Sequence, residues 1–238
     1  PDCLENVPSI PFFMKYLTWI TSLIVLMTPA FGHYLALTDP IYFDQVYTRE
    51  DGLIESMTSA NLFFCFVICM YRVVLLRKLK ASFFIAFTVL IGLGMLFGAG
   101  EEISWGQRIF HLTTPDILEK YNHQGEINLH NLQLGGVKIN KLIFSQLLGL
   151  VLAVYFFCLP FLFSRLKFVR VLSAKFAVPI AQNWHVLLFL LSGITAAAIQ
   201  QNRRWEILEF CGSAIFFLIF LNPKNQDEFS VTPSDSRK

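Results

Sequence analysis

The sequence predicts an all-α fold: a polytopic membrane protein, a bundle of about six transmembrane helices with both termini in the cytoplasm. Three observations predict it. The chain is 55% hydrophobic and 15% charged, with 25 phenylalanines, a composition outside the usual range of soluble domains. Six apolar stretches stand at roughly 16–37, 57–76, 82–100, 142–163, 183–199 and 205–221, each near the ~20 residues a helix needs to cross hydrocarbon. The connectors between them alternate in charge. Arg72, Arg77, Lys78 and Lys80 form one acid-free basic loop, and Arg165, Lys167, Arg170 and Lys175 form another. In contrast, Asp39, Asp44, Glu50, Asp51 and Glu55 face a single Arg49 in 39–55. The positive-inside rule places the basic loops and both termini in the cytoplasm, and the acidic segment, residues 101–141 and the 200–204 turn outside.

Taken in order, the first stretch has no small-residue cleavage site directly after it and is expected to be retained as a span. The second opens on REDGLIESMTSAN (Arg49–Asn61), where Asp51, Glu55 and Thr58 share one helix face. Ser82–Ala99 carries no charge, and its Gly94 and Gly98 form a GxxxG suited to close helix packing. A connection of roughly 40 residues follows (101–141), long enough to expect a function or a fold of its own. Within it, TTPDILEK (Thr113–Lys120) reads as a short interfacial helix. The fifth stretch starts beside Asn183 and His185 and forms a hairpin with the sixth through Gln200–Arg204. A single transmembrane domain (1–222) thus precedes a polar tail (223–238) with Pro223 and Pro233, expected to be a disordered cytoplasmic end.

Several function classes are excluded early. Cys65, Cys69, Cys158 and Cys211 lie inside spans and Cys3 outside them, which is neither a disulfide framework nor a metal knuckle. A net charge of +2 without a basic, aromatic-interleaved stripe argues against nucleic acid as a partner.

The unusual polar residues collect at the outward end of the spans. GEEISWGQR (Gly100–Arg108) closes the third; if its helix continued, Glu101, Trp105 and Arg108 would share a face and Glu102 would point about 100° away. QQNRRWEILEF (Gln200–Phe210) opens the sixth, with Arg203, Glu206 and Glu209 at i, i+3, i+6. Glu209 lies a turn inside an apolar helix, where a carboxylate must be protonated, paired or hydrated. Arg203, Arg204 and Arg108 are its candidate partners, and a purely structural ion-pair network is the alternative to a site. NHQGEINLHN (Asn122–Asn131) places His130 in the long outer loop as a candidate base or ligand. A divalent metal held by His130 with Glu101, Glu102 and Glu206, or with Glu55 and Glu209, would suit zinc, iron or manganese. However, the helical pairs HExxH, HxxxH and ExxH are missing. Carboxylate-only acid–base chemistry is equally open.

EDGLIE (Glu50–Glu55), GEEISWGQR, QGEINLHN (Gln124–Asn131) and RWEILEF (Arg204–Phe210) resemble a family of uncharacterised bacterial integral membrane proteins over roughly 45–215. The resemblance implies a bacterial cytoplasmic membrane and no particular activity. A weaker similarity is to the alkaline-ceramidase-like membrane hydrolases, which set an acid, a hydroxyl residue and histidines at a membrane-boundary zinc site. It implies such parts for Glu55, Thr58 or Ser59, and His130; the family's paired late-helix histidines are replaced here by Glu206 and Glu209.

Three functions follow as expectations. The first is a membrane-embedded hydrolase or transferase acting on a lipid or lipid-linked substrate. Glu102, His130, Glu209 and Glu55 would be its catalytic groups, and Arg108, Arg203, Trp105 and Gln107 would contact the substrate. The second is a non-enzymatic subunit or assembly factor docking a protein partner, or another copy of the chain, through its outer face. The third and weakest is a transporter, since few polar residues continue to the midplane.

Overall fold

The computed structural model describes residues 12–50, 52–116, 122, 125, 127–129, 133–134, 137–138 and 147–231. Seven helices carry the architecture: α1 (Phe12–Thr38), α2 (Leu53–Leu76), α3 (Ser82–Glu102), α4 (Leu148–Arg165), α5 (Lys167–Lys175), α6 (Asn183–Ala197) and α7 (Arg204–Leu221). A short antiparallel ladder of two residues on each side lies in the long connection, Gln133 opposite Lys138 and Leu134 opposite Val137. Four helices, α1 to α4, are long and apolar enough to cross a membrane, which marks an integral membrane protein. α6, at 15 residues, reaches about 22 Å at 1.5 Å per residue. α7 carries Arg204, Glu206 and Glu209 in its first two turns and so falls outside the apolar four.

α7 is instead the hub. Ile207, Phe210, Cys211, Ala214, Ile215, Leu218 and Ile219 are all buried, a face wider than the stripe of a surface helix, and α1, α2 and α6 pack around it. α1 passes close to it because Gly32 has no side chain: a Cβ there would lie 2.5 Å from Ile207 Cδ1 and 3.2 Å from Tyr47 Cε1. Ile207 is fully buried and cannot swing aside. Gly32→Val should therefore lower stability by about 1–3 kcal/mol through overpacking, read as a fall in melting temperature of the detergent-solubilised protein.

Pro29 lies inside α1 and lacks the N–H that would bond Val25 O. The Cys211 thiol of α7 donates to that carbonyl at 3.6 Å, and the Tyr47 hydroxyl donates to Thr28 O at 2.8 Å. Tyr47 ends a π-turn (Phe43–Tyr47) beyond α1. Burial pushes its hydroxyl up from 10.0 to about 12, so what its proton contributes to stability is intact below pH 10 and is lost as pH rises through about 12.

α2 and α3 form the most extensive helix pair. Small residues make it possible: a Cβ on Gly92 would meet Cys69 Cβ at 2.9 Å, and Ser59 Oγ donates to Ala99 O at 2.8 Å. The expected Gly94/Gly98 motif is corrected here. Gly94 has open space around it, while Gly92 and Gly98 face α2. α4 contains a π-turn (Val154–Cys158) just before Pro160, whose ring and missing N–H disturb the regular ladder.

At the basic end, Asn222–Phe229 folds back onto the bundle. Asn225 accepts from Ile180 N at 2.9 Å and donates to Val178 O at 3.0 Å, and Gln182 Nε2 donates to Asn222 O at 2.9 Å. Phe229 is buried with Leu76, Phe84 and Ala177. Residues 223–231, read as the start of a disordered tail, are thus a packed strap; 232–238 lie outside the described residues.

Candidate functional site

GEEISWGQR ends α3 by reversing the hand of the chain. Glu102 is the last helical residue, and Ser104, Trp105 and Gly106 follow with φ of 46°, 54° and 74°. The left-handed region costs an L-residue roughly 1–2 kcal/mol, so two such side chains in succession need outside support. The support is specific. Trp105 Nε1 donates to Glu101 Oε1 at 2.8 Å, and its ring lies edge-on to Phe97 with centroids 5.7 Å apart. It also covers Gly100, where a Cβ would sit 2.9 Å from the ring.

The second informative string holds the turn from above. Leu129 N donates to Glu101 Oε2 at 2.7 Å, and Asn128 Nδ2 donates to Ser104 Oγ at 3.1 Å. Asn122 Nδ2 in turn donates to Asn128 Oδ1 at 2.9 Å. Gln107 accepts from Ile127 N at 2.7 Å and donates to Thr114 Oγ1 at 2.7 Å. The two sequence strings are one structure: the loop satisfies the polar groups that the left-handed turn exposes.

This turn separates the two adjacent glutamates. Glu101 is buried and holds Trp105 and Leu129, so it builds the loop. Glu102 instead lines a half-open cavity of about 260 Å³ together with Glu55, Ser56, Ile103, Arg108 and Ile109. Glu55 comes from the first turn of α2. The charges of Glu55, Glu206 and Glu101, from α2, α7 and α3, all act on Glu102. Arg108 supplies positive charge on the same wall, brought there by the turn and not by a continued helix. Ile109 in the cavity wall is 67% exposed, and the neighbouring Phe110 is 69% exposed.

Other candidates lie elsewhere. Of the two acids of α7 in question, Glu206 is the one whose charge acts on Glu102; Glu209 is exposed on its helix. Arg203, considered above as a partner for Glu209, donates to Thr48 O at 3.1 Å and pairs with Glu50 at 3.5 Å. Arg204 donates to Ile199 O at 2.8 Å and lies over the Trp205 ring at 5.2 Å. Both arginines of the outward-assigned turn therefore tie down loops. Trp105 and Gln107, expected to contact substrate, are the braces of the turn. His130, Asp51 and residues 117–120 of Thr113–Lys120 lie outside the described residues. Among the described residues no three His, Cys, Asp or Glu side chains come together as a metal-ligand set.

Sequence reasoning missed the bracing roles of Ser104, Asn122 and Asn128. The two asparagines inside a string of interest were the available signal, because Asn commonly anchors loops through side-chain bonds to backbone. Nothing local marked Ser104. No known protein family, curated protein or solved structure matches the chain.

Proposed function

We propose that the chain is a membrane-embedded hydrolase or transferase whose site is the Glu55–Glu102–Arg108 cavity, acting on a lipid or lipid-linked substrate with an anionic head. One observation carries the reading: a half-open cavity has two carboxylates and a guanidinium in its wall beside the exposed apolar Ile109, with the exposed Phe110 next along the chain. A head group would bind Arg108 while its chains stay in the bilayer. Glu102, half-buried among other carboxylates, is suited to proton transfer. It would give its proton to the leaving oxygen as Glu55 draws one from an attacking water or hydroxyl.

The same reading takes α6 and α7 as a fifth and sixth span, the hairpin completing a six-span bundle around α7. The charge asymmetry of the loops supports a cavity facing outward and a basic end in the cytoplasm. The similarity of the four sequence strings to bacterial membrane proteins supports the inner membrane as its location.

The test compares total lipid extracts, by mass spectrometry, from bacterial cells overproducing the wild type, Glu102→Gln or Glu55→Gln at matched membrane levels. The wild type should change the abundance of at least one lipid or lipid-linked species, and both variants should leave it as in cells without the protein. Identical extracts from wild type and Glu102→Gln would overturn the enzyme reading. Copurification of a stoichiometric protein partner alongside such identical extracts would favour a docking subunit.

A further inference from the structure

We infer that the basic end of the bundle is a binding site for anionic phospholipid head groups, centred on helix α5. This inference is independent of the chemistry in the cavity at the opposite end.

α5 begins afresh after α4. Leu166 is extended (φ −112°, ψ 118°) and breaks the preceding helix, so residues 167–175 form a separate element. Its inner side is anchored: Ser173 is buried, and Phe176, just after it, packs against Phe83 and Phe87 of α3 with centroids 5.4 and 4.8 Å apart. Its outer side mixes two kinds of residue. Phe168 and Val171 are 69% and 55% exposed, and Lys167 and Arg170, adjoining them round the helix, are exposed too. Exposed aromatic and β-branched side chains flanked by cations on the same side of a helix are the pattern of one lying at a bilayer surface, where the apolar groups enter the acyl boundary and the cations stay with head groups.

The local charge balance selects the head group. Arg77 and Lys78 extend the cationic surface from the α2–α3 connection, and both are exposed. The acids of the strap do not neutralise it. Glu228 pairs with Lys80 at 3.0 Å, which leaves Asp227 as the other acid in the described strap. Lys175 is held over the Phe83 and Phe176 rings at 5.1 and 5.9 Å, and Lys224 donates to Ser164 Oγ at 2.7 Å. Lys167, Arg170, Arg77 and Lys78 have no salt bridge to any described carboxylate. A zwitterionic surface offers them little; an anionic phosphodiester offers charge and acceptor oxygens to each.

The experiment uses the full chain in neutral detergent at low salt, titrated with short-chain phosphatidylglycerol and, separately, with its phosphatidylcholine counterpart. Bound lipid is read by native mass spectrometry. The wild type should prefer phosphatidylglycerol by about thirtyfold or more. From roughly fivefold per cation near an anionic surface, Arg170→Gln should weaken phosphatidylglycerol binding about fivefold and Lys167→Gln/Arg170→Gln about thirtyfold. Phosphatidylcholine binding should stay unchanged in both. Both residues are on the outer side of α5, and an unchanged melting temperature verifies that each variant is folded. Equal binding of the two lipids by the wild type overturns the inference. So does a double variant that retains the full preference, since the site would then lie elsewhere than on α5.

Discussion

Glu101→Ala should lower stability by about 3 kcal/mol and release the outer loop, whereas Glu102→Gln, one residue later, should leave the melting temperature nearly unchanged. Glu101 is buried and its two oxygens accept from Trp105 Nε1 at 2.8 Å and Leu129 N at 2.7 Å. Hydrogen bonds to a charged group contribute about 1.5–3 kcal/mol each, so the gross loss is about 3–6 kcal/mol. Part returns, because Ser104 and Trp105 can then leave the left-handed region, which costs roughly 1–2 kcal/mol per residue. Glu101→Gln should be milder: its carbonyl can still accept from Trp105, but its amide nitrogen then faces the Leu129 N–H. Thermal denaturation in detergent checks the ranking. Limited trypsinolysis checks the location, since cleavage after Arg108 should accelerate in Glu101→Ala and not in Glu102→Gln. Equal destabilisation by both substitutions would mean that the glutamates do not divide into a builder and a cavity group.

The second large effect is expected at the other end of the bundle. Arg72→Met should cost about 2–4 kcal/mol and loosen the strap. Arg72 is buried in α2; its guanidinium donates to Phe220 O and lies 4.2 Å over the Phe229 ring. Phe220 O is among the last four carbonyls of α7, which have no partner within the helix. Removing the donor loses a charge-assisted bond of about 1.5–3 kcal/mol and a cation–π contact of about 0.5–2 kcal/mol, with methionine retaining most of the packing. Hydrogen exchange should rise across Asn222–Phe229 while the α1–α7 contact near Gly32 stays protected. Lys80→Gln is the contrasting case. Its ion pair with Glu228 is partly exposed, and its loss should cost about 1 kcal/mol or less.

Much of the architecture was legible in the sequence. The apolar stretches at 57–76, 82–100, 183–199 and 205–221 each coincide with a helix to within a few residues at either end. A hydrophobic run and the charges that close it are local properties, and helix formation follows them. The candidate site was only partly legible. Glu55, Glu102 and Arg108 do share a cavity, and the charge of Glu206 acts on Glu102. Which side of α7 Glu209 lies on was not legible, because hydropathy along a helix is silent about which side of it is covered. Glu209 is exposed, while Ile207, Phe210 and Cys211 face the core.

By itself, the sequence determined the all-helical membrane class, the positions of the main helices and the contrast between a carboxylate-rich end and a basic end. Those features depend on composition and periodicity within each segment. Only the tertiary structure decided that Glu101 braces while Glu102 lines the cavity, that GEEISWGQR and the loop around Asn128 form one unit, and that α7 is the centre of the bundle. The physical reason is that the left-handed Ser104–Gly106 turn is unfavourable alone. It exists because hydrogen bonds from residues some 20 to 30 positions further along the chain hold it, and no local pattern records a bond made across that separation.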